Sequence, residues 1–279
     1  MAINVMKPCT VEELKSLLKS SSAAATIASD KVDDSTSRQN QANIVLDIDE
    51  TLAATNVAWF ERCVQLFGNP EKDLDVPKLI QKYHLAQYNP AWQSQDAQDW
   101  MHEQRTAPEA QDNLPLIPGA VEGVNALLRL NNNQNHHNHN DNDSTDDPRP
   151  TTNDVVVNIV GYLTVRPESV NVNTMKWLKG NGFPNRPVVS KPDSIAFEMG
   201  NQWKAQALHT LFPFVSGIVD DNPKVAKFVG SHYQGNVYLF GRGREDIEND
   251  FQWAIPCKTW KDVVRNVQRC EESKYALPN

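Results

Sequence analysis

The chain has 279 residues, which is enough for one sizeable α/β core and a small additional module. Its 39% hydrophobic content is typical of a globular protein, and its formal net charge of −8 leaves no basic face, which disfavours nucleic acid as a partner. The four cysteines lack C-x-x-C spacing and no apolar run reaches membrane-spanning length, so a zinc site, a disulfide framework and a membrane partner are not indicated, and a reducing, cytoplasmic location is expected.

The N-terminal segment, residues 1–42, is predicted to consist of a short helix and a flexible linker. Residues 10–20 favour the helix, because Thr10 and Glu13 fit a capping box. The apolar side chains that share one face of this helix are Val11, Leu14 and Leu18. From Ser20 to Gln41 the chain is rich in Ser, Ala, Asp and Gln and has little to bury, which is typical of a linker.

The first predicted core strand covers Ile44 to Leu46 and is followed by two aspartates. Its unbroken aliphatic run is typical of a strand buried on both faces of a parallel sheet. Because residues two apart on a strand share a side, Asp47 and Asp49 are expected to face the same ligand position at the carboxyl end of the sheet. Two neighbouring carboxylates repel each other unless a cation, or a substrate dianion with its metal, balances their charge. The alternative interpretation of these residues alone is a polar turn that closes a buried strand.

A helical insert, residues 54–112, is predicted to separate this strand from the rest of the core. Its helices are predicted at 56–67, 76–88 and 94–109. Three residues of the first helix, Trp59, Phe60 and Arg62, have two interpretations. Either they hold a ring and a second charge of a substrate, or the two aromatic residues form the small core of the insert itself.

The core is predicted to resume with a helix whose Val121, Val124 and Leu128 line one face. Residues 131–153 then consist of Asn, His, Asp and Thr with almost no apolar side chain, so a disordered surface insertion is predicted there. The histidines of this insertion, which could bind a metal adventitiously, are His136, His137 and His139.

The second core strand is predicted over 155–163, where β-branched residues dominate. It places Thr164 near Asp47, and a threonine hydroxyl can donate a hydrogen bond to a phosphoryl oxygen. Arg166 follows as a charged donor. Taken alone, Thr164 could equally be an ordinary strand residue. A further helix and a short strand over 186–190 complete this part of the core.

Lysine and acidic residues follow at the ends of the later elements. Lys204 lies near the start of a predicted helix and could steady two anions, the Asp47 carboxylate and a phosphoryl group. The competing lysines are Lys176, Lys179 and, directly before the same helix, Lys191. The next predicted strand, 214–219, ends at Asp220 and Asp221, whose carboxylates are ligands that Mg²⁺ prefers.

A fifth strand over 237–240 and a final helix containing Trp260 complete the predicted core. The loop between them carries Arg242 and Arg244, which either touch a second phosphate or belong to a solvated loop. Neither a Walker loop nor a G-x-G-x-x-G pattern occurs, so a glycine loop that cradles a nucleotide is not indicated.

Four patterns in this order resemble the haloacid dehalogenase-like superfamily of phosphohydrolases. They are Asp47-Ile-Asp-Glu-Thr51, Thr164 after the second strand, Lys204, and the pair Asp220-Asp221 after the fourth strand. The resemblance implies a Rossmann-like, doubly wound parallel sheet formed by residues 43–53 and 113–279. It also implies that residues 54–112 form a helical cap that closes over the active site.

The same resemblance implies a mechanism in which two aspartates have different tasks. Asp47 attacks phosphorus and forms an aspartyl-phosphate, while Asp49 gives a proton to the leaving oxygen and then takes one from water. Mg²⁺ is the implied cofactor. Its expected ligands are Asp47, the backbone carbonyl of Asp49, Asp220 as the first choice of the acidic pair, and Asp221 as a ligand or a partner of one. The implied phosphate-binding residues are Thr164, Arg166 and Lys204.

The expected substrate is a small phosphorylated metabolite. A nucleoside monophosphate is slightly favoured by a looser similarity to nucleotidase-like and polynucleotide 3′-phosphatase-like proteins. The alternatives are a phosphatase acting on a nucleic-acid 3′ end or a phosphoprotein, which a helical cap and an acidic composition disfavour, and a non-catalytic phosphate-binding protein on the same fold. Asp49 disfavours a dehalogenase, because dehalogenases of this superfamily lack the second acid. No oligomeric state is predicted.

Overall fold

The computed structural model of the chain describes residues 4–29, 41–69, 71–130, 156–247 and 251–275. Its strands, in chain order, are β1 (Gln41–Leu46), β2 (Val156–Pro167), β3 (Val188–Lys191), β4 (Gly217–Asp220), β5 (Asn236–Phe240) and β6 (Ile255–Cys257). The described residues form one parallel, six-stranded sheet with the order β3-β2-β1-β4-β5-β6. This is the doubly wound order of Rossmann-like proteins, so the predicted α/β fold class is confirmed.

The α-helices surround this sheet and fill the insert between its first two strands. They are α1 (Val11–Ser29), α2 (Thr55–Phe67), α3 (Val76–Tyr83), α4 (Gln95–Thr106), α5 (Ala120–Arg129), α6 (Asn171–Gly180), α7 (Gly200–Leu211), α8 (Pro223–Val229) and α9 (Trp260–Tyr275). Within the described ranges, no helix combines the length and the apolar character that crossing a bilayer requires.

Helices cover both faces of the sheet, as strands with two apolar faces require. Successive residues of β1 point to opposite faces. Ile44 and Leu46 belong to the core that contains α5, α6 and α9, and Val45 belongs to the core that contains α1, α7 and α8. With both faces occupied, the carboxyl edge of the sheet is left as the position for a ligand.

The predicted capping box at the start of α1 is confirmed. The Glu13 carboxylate accepts from the Thr10 amide at 2.8 Å, and the Thr10 hydroxyl accepts from the Glu13 amide at 3.2 Å. Leu14 and Leu18 are buried against the face of the sheet that carries α7 and α8. The N-terminal helix is therefore part of the core.

α1 is longer than predicted, because it continues through residues 20–29, where a linker was expected. The alanines at 23–25 are strong helix formers. The Ser20 hydroxyl donates to the Ser16 carbonyl at 2.9 Å, so this serine satisfies its hydrogen bond within the helix. The rest of the predicted linker, residues 30–40, lies outside the described residues.

The helices between β1 and α5 pack around a separate hydrophobic cluster. Its largest buried side chains are Phe60, Leu79, Trp92 and Met101. The rings of Phe60 and Trp92 meet edge to face, with centroids 5.3 Å apart. The insert is thus a helical unit with its own core, and its role as a cap stays a prediction.

Two helices of the insert end earlier than predicted. α3 was expected to reach residue 88 but ends at Tyr83, because His84 takes a φ of 62° that interrupts the helix. α4 was expected to reach residue 109 but ends at Thr106, since Ala107 is extended ahead of Pro108. Short 3-10 turns follow both helices.

Two short elements were not predicted. β6 contains Pro256, which has no amide to donate to a ladder and therefore suits the edge of the sheet. α8 starts at Pro223, after the Asn222 side chain accepts from the Lys224 amide at 3.0 Å. Neither element is long enough for a periodic pattern to reveal it.

The predicted strands are present with small differences at their ends. β2 continues to Pro167 instead of ending at residue 163, and β4 starts at Gly217 instead of residue 214. The predicted disordered insertion, residues 131–153, lies outside the described residues, as do its three histidines.

A Gly123→Ala substitution is expected to lower the free energy of unfolding by about 1–3 kcal/mol. A Cβ at Gly123 would lie 2.6 Å from the Cβ of Trp260, which is closer than two carbons can approach. Gly180→Ala is the matched control, since no atom lies within 4 Å of the Cβ it would add. Urea unfolding of both variants measures the difference. Equal stability of the two variants would mean that α5 and α9 do not pack as closely as this contact requires.

Candidate active site

β1 lies at the centre of the sheet, between β2 and β4. The chain continues from β1 to β2 and β3 on one side and returns to β4 on the other, so a crevice opens at the carboxyl ends of β1 and β4. Asp47 directly follows β1, and its amide donates to the Val219 carbonyl of β4 at 2.9 Å. Asp220 is the last residue of β4. Asp47 and Asp220 therefore leave neighbouring strands side by side at this crevice.

The segment after β1 turns sharply. The Ile48 carbonyl accepts from the Ala53 amide at 2.8 Å, and Glu50 takes a φ of 54°, in the left-handed region. Ile48 is buried in the core, while its neighbours Asp47 and Asp49 line a cavity. The structure thus brings together the two aspartates that the spacing predicted to be neighbours.

This cavity has a volume of about 660 Å³ and lies between the core and the helical insert. From the core, the charged residues that line it include Asp47, Asp49, Arg166, Lys204 and Asp221. From the insert, the lining residues include Trp59, Gln87, Tyr88, His102 and Arg105. The volume is within the range of roughly 300–1,000 Å³ that is typical of small-ligand pockets.

The ammonium group of Lys204 lies between two carboxylates. It is 2.7 Å from Asp47 Oδ1 and 2.8 Å from Asp220 Oδ2, and all three side chains are buried. Burial alone would lower the pKa of Lys204, but the charges of Asp220 and Asp47 outweigh it and raise this pKa above its ordinary value. Lys204 therefore remains a cation fixed against Asp47.

The buried Asp47 Oδ1 has one close cationic partner. It lies 2.7 Å from the Lys204 ammonium and receives no hydrogen bond from any other group among the described residues. Burial raises the pKa of Asp47, Lys204 opposes this, and the charges of Asp220 and Asp49 add to it, which brings the pKa to about 7. Near neutral pH the group can therefore supply a carboxylate.

Asp47, Asp220 and Asp221 could together hold a metal ion, since each offers a carboxylate oxygen and these atoms lie within 4.8 Å of one another. Both oxygens of Asp220 are engaged, one by Lys204 and the other by the Asn222 amide at 2.8 Å. Asp221 lines the cavity instead, and burial together with the charges of Asp220 and Asp47 raises its pKa well above the ordinary value. Asp220 was the first choice for direct ligation from the sequence, whereas the geometry makes Asp221 the more accessible carboxylate.

Asp49 is bound by Arg166 rather than left open to a ligand. The Arg166 Nε lies 3.0 Å from Asp49 Oδ2 and its Nη2 lies 2.7 Å from Asp49 Oδ1. The Thr55 hydroxyl of α2 also donates to Asp49, at 2.5 Å. Burial would raise the pKa of Asp49, but the charge of Arg166 and the hydrogen bonds from Arg166 and Thr55 lower it below the ordinary value. In this state the predicted phosphate-binding arginine is occupied by a carboxylate.

Thr164 lies inside β2 and is fully buried. Its hydroxyl accepts from the Arg166 amide at 3.2 Å. The lining of the cavity includes Val165 and Arg166 but not Thr164. The predicted contact of this hydroxyl with a phosphoryl oxygen stays a prediction, and the observed contact of the hydroxyl is with the backbone of Arg166.

The competing lysines have other partners. Lys191 lines the cavity, but its ammonium donates to the carbonyls of Pro192 and Ile195, at 3.1 and 2.6 Å. Lys176 pairs with Asp112 at 3.1 Å. Lys179 is exposed. Of the lysines considered, Lys204 is thus the one that contacts Asp47.

The three residues singled out in the first helix of the insert have different positions. Trp59 lines the cavity, Phe60 is fully buried in the core of the insert, and Arg62 is exposed and donates to Gln65 at 3.1 Å. Phe60 thus belongs to the core of the insert and Trp59 packs against that core, while contact of Trp59 with a substrate ring stays a prediction. Two further arginines are not part of the cavity lining, in keeping with a solvated loop. They are Arg242 and Arg244.

Four charged residues of the cavity were not predicted from the sequence, namely Glu50, Arg105, Asp193 and Lys224. Burial raises the pKa of Glu50 to about 7, although its Oε1 accepts from the Asn56 amide at the start of α2. Its position within the D-x-D-x-T pattern was the signal that could have identified it. Arg105 gave no signal, because it ends a helix that is polar on most of its surface.

No protein-family model matches this chain, and no curated protein matches it. Among solved structures, one similar chain is described as "Crystal Structure analysis of a Dehalogenase with intermediate complex". The two chains are 13% identical and superpose with a TM-score of 0.41, over 81% of this chain and 96% of the other. At that identity and TM-score the likeness says nothing about the chemistry of this chain.

Proposed function

We propose that this chain is a metal-dependent phosphomonoesterase that acts on a small phosphorylated metabolite through an aspartyl-phosphate. One observation supports it above all others: the buried Asp47 lies 2.7 Å from Lys204 and within 4.8 Å of Asp220 and Asp221, beside a cavity. A structural ion pair would need neither a third carboxylate nor a cavity. A phosphoryl site needs both, because a nucleophile, a cation and a metal must meet around one substrate group.

The carboxylate cluster fits a divalent cation. Asp47 and Asp220 share the Lys204 ammonium group and Asp221 adds a third carboxylate, so the cluster has more carboxylates than cations, which burial makes costly. All its donors are carboxylate oxygens, which Mg²⁺ prefers, and Asp47 Oδ1 has no partner other than the Lys204 ammonium among the described residues. Asp47 and Asp221 would hold the ion, with Asp220 and the Asp49 carbonyl completing the predicted set. A bound Mg²⁺ would neutralise charge on the transferring phosphoryl group.

Asp47 is the nucleophile in this mechanism. Its carboxylate oxygen forms a bond to phosphorus while the bond between phosphorus and the leaving oxygen breaks, and the leaving oxygen takes a proton from Asp49 in its protonated form. Lys204 contacts Asp47 directly and balances the negative charge that accumulates when a phosphate dianion approaches a carboxylate. Its second contact, with Asp220, keeps the ammonium in place during this step.

Asp49 suits the second half of the reaction better than the first in the present geometry. Paired with Arg166, it is an ionised carboxylate, which can take a proton from the water that hydrolyses the aspartyl-phosphate. To donate a proton in the first half, Asp49 would have to be separated from Arg166. An incoming phosphate dianion supplies a reason for that separation, because it competes with Asp49 for the same guanidinium.

The cavity supports a small substrate. Its volume of about 660 Å³ suits a metabolite, and the helical insert lines it on one side, which hinders access by a polymer chain. Trp59 and Tyr88 supply aromatic surface for a planar group, in keeping with the predicted preference for a nucleoside monophosphate.

The proposal predicts that the full chain releases phosphate from p-nitrophenyl phosphate in the presence of Mg²⁺. Removal of the metal with EDTA should abolish the activity, and renewed Mg²⁺ should restore it, because the carboxylate cluster otherwise repels the substrate dianion. Phosphate release is followed over time with and without the chelator. Hydrolysis that EDTA leaves unchanged would contradict the metal dependence, and no hydrolysis of any monophosphate in a broad panel would contradict the proposed function.

A further inference from the structure

Arg105, in the last turn of α4, provides a cation on the insert side of the cavity. Its guanidinium carbon lies 4.1 Å from the centroid of the Phe197 ring and 6.0 Å from that of Trp59. One of its terminal nitrogens donates to the side-chain carbonyl of Gln87. Two rings and one amide thus hold the planar guanidinium in a defined orientation, which reduces the entropy lost when it binds a ligand.

The charge of Arg105 is not matched by a carboxylate. Arg166 and Lys204, which line the same cavity, are each bound to an aspartate. Over the ranges that the structure describes, no carboxylate lies within ion-pair distance of Arg105, and its buried Nε–H has no hydrogen-bond partner. Burial lowers the pKa of Arg105 and the charge of Glu198 opposes this, but a guanidinium remains protonated. A buried donor left unpaired is costly, and an anionic ligand would satisfy it.

The surface around Arg105 is largely apolar. Phe197 and Tyr88 line the cavity although 47% and 54% of their surfaces are exposed, and Trp59 and Leu85 also line it. Such a wall favours a ligand with a carbon skeleton, and a single oriented guanidinium within it favours an acidic substituent on that skeleton. In the proposed function the reacting phosphoryl group contacts Lys204, which lies beside Asp47 on the core side of the cavity.

We propose that Arg105 recognises a second anionic group, a carboxylate or a phosphate, on the part of the substrate that leaves when the phosphoryl group is transferred. The proposal rests on the proposed function, which places the phosphoryl group at Asp47, and it narrows the substrate class to phosphate monoesters that carry a further acidic group. Arg105 determines specificity in this scheme and takes no part in bond making.

Calorimetric titration of the full chain with phosphonates, which are not hydrolysed, tests this assignment in the presence of Mg²⁺. Phosphonoacetate and its longer homologues carry a carboxylate as the second anion, methylenediphosphonate carries a second phosphonate, and alkylphosphonates of matched length carry none. The proteins compared are the wild type, Arg105→Gln and Arg62→Gln. Arg62 is the matched control, because it removes the same charge from the same insert at an exposed position outside the cavity.

The wild type and Arg62→Gln should bind at least one two-anion probe about tenfold or more tightly than the matched alkylphosphonate. Arg105→Gln should lose that advantage while binding the alkylphosphonate unchanged, which also shows that the variant is folded. The preferred probe distinguishes a carboxylate from a phosphate as the second anion. Two results would overturn the role of Arg105 but leave the phosphoryl site intact. One is equal affinity of the wild type for all probes, and the other is an equal loss of affinity for two-anion probes and alkylphosphonates in Arg105→Gln. No binding of any phosphonate to the wild type would overturn it together with the phosphoryl site.

Discussion

Asp47→Asn is expected to reduce the turnover of p-nitrophenyl phosphate by on the order of 10⁴-fold or more, the scale of loss when a covalent nucleophile is removed. The amide has nearly the same shape as the carboxylate, so the contacts of Asp47 with the Lys204 side chain and the β4 backbone leave its position almost unchanged. The amide cannot form an aspartyl-phosphate, however, because its oxygen is a poor nucleophile and it carries no negative charge. Initial rates over a range of substrate concentrations, with Mg²⁺ present, measure the loss.

Asp193→Asn is the matched control for this experiment. Asp193 also lines the cavity, but its carboxylate accepts from the amide and hydroxyl of Ser169 and lies outside the acidic cluster. This variant should therefore keep most of its activity. Equal activity in the wild type and Asp47→Asn would remove Asp47 as the nucleophile and would falsify the proposed mechanism.

The Asp47→Asn substitution is also expected to change how the free energy of unfolding depends on pH in the absence of metal. The pKa of Asp47 is raised to about 7 in the folded state, above its ordinary value of 3.8, so folding favours the protonated form. In the wild type this group therefore costs stability progressively as the pH rises from about 4 to about 7. Asparagine has no such cost, and the stability of the variant relative to the wild type should increase over that window. Urea unfolding at several pH values in EDTA measures this, and a relative stability that falls with pH would contradict the raised pKa.

Lys204→Met is expected to lower the free energy of unfolding by about 3–5 kcal/mol and to abolish activity. Methionine fills similar space, but it leaves the carboxylates of Asp47 and Asp220 buried beside each other without a cation. The loss should be smaller at low pH, because protonation of Asp47 removes part of the repulsion, and larger as the pH rises. Urea unfolding at two pH values, with the turnover of p-nitrophenyl phosphate, measures both effects.

Lys191→Met distinguishes Lys204 from its main competitor. Lys191 is also buried and lines the cavity, but it contacts two backbone carbonyls and, among the described residues, no carboxylate. Its substitution should cost less stability and leave measurable turnover. The double variant Asp47→Asn with Lys204→Met should regain part of the stability lost in Lys204→Met, because one of the unpaired charges is gone. Greater loss of activity in Lys191→Met than in Lys204→Met would mean that Lys191 performs the role proposed for Lys204.

Local patterns in the chain determined the fold class and the region of the site. The aliphatic run of β1 and the spacing of Asp47 and Asp49 follow from the two-residue repeat of a strand, which needs no tertiary contact to be recognised. The order of strands and helices is likewise set by periodicity and by residues such as Gly68, which ends α2. For that reason an α/β arrangement and the carboxyl edge on which the acidic residues meet could be predicted, whereas the doubly wound order was implied by the family resemblance.

The partners of each charged group were decided only by the tertiary structure. Arg166 binds Asp49 across 117 positions of sequence, and Arg105 of the insert stacks on Phe197 of the core. The choice of Lys204 over Lys191 depends on tertiary contacts. Helix α7 places the Lys204 ammonium against Asp47, whereas the Lys191 ammonium donates to backbone carbonyls of the loop before α7. Sequence periodicity specifies which side of an element a residue occupies, whereas the neighbour it meets there depends on how distant elements pack, and the free energy of a buried charge is set by that neighbour.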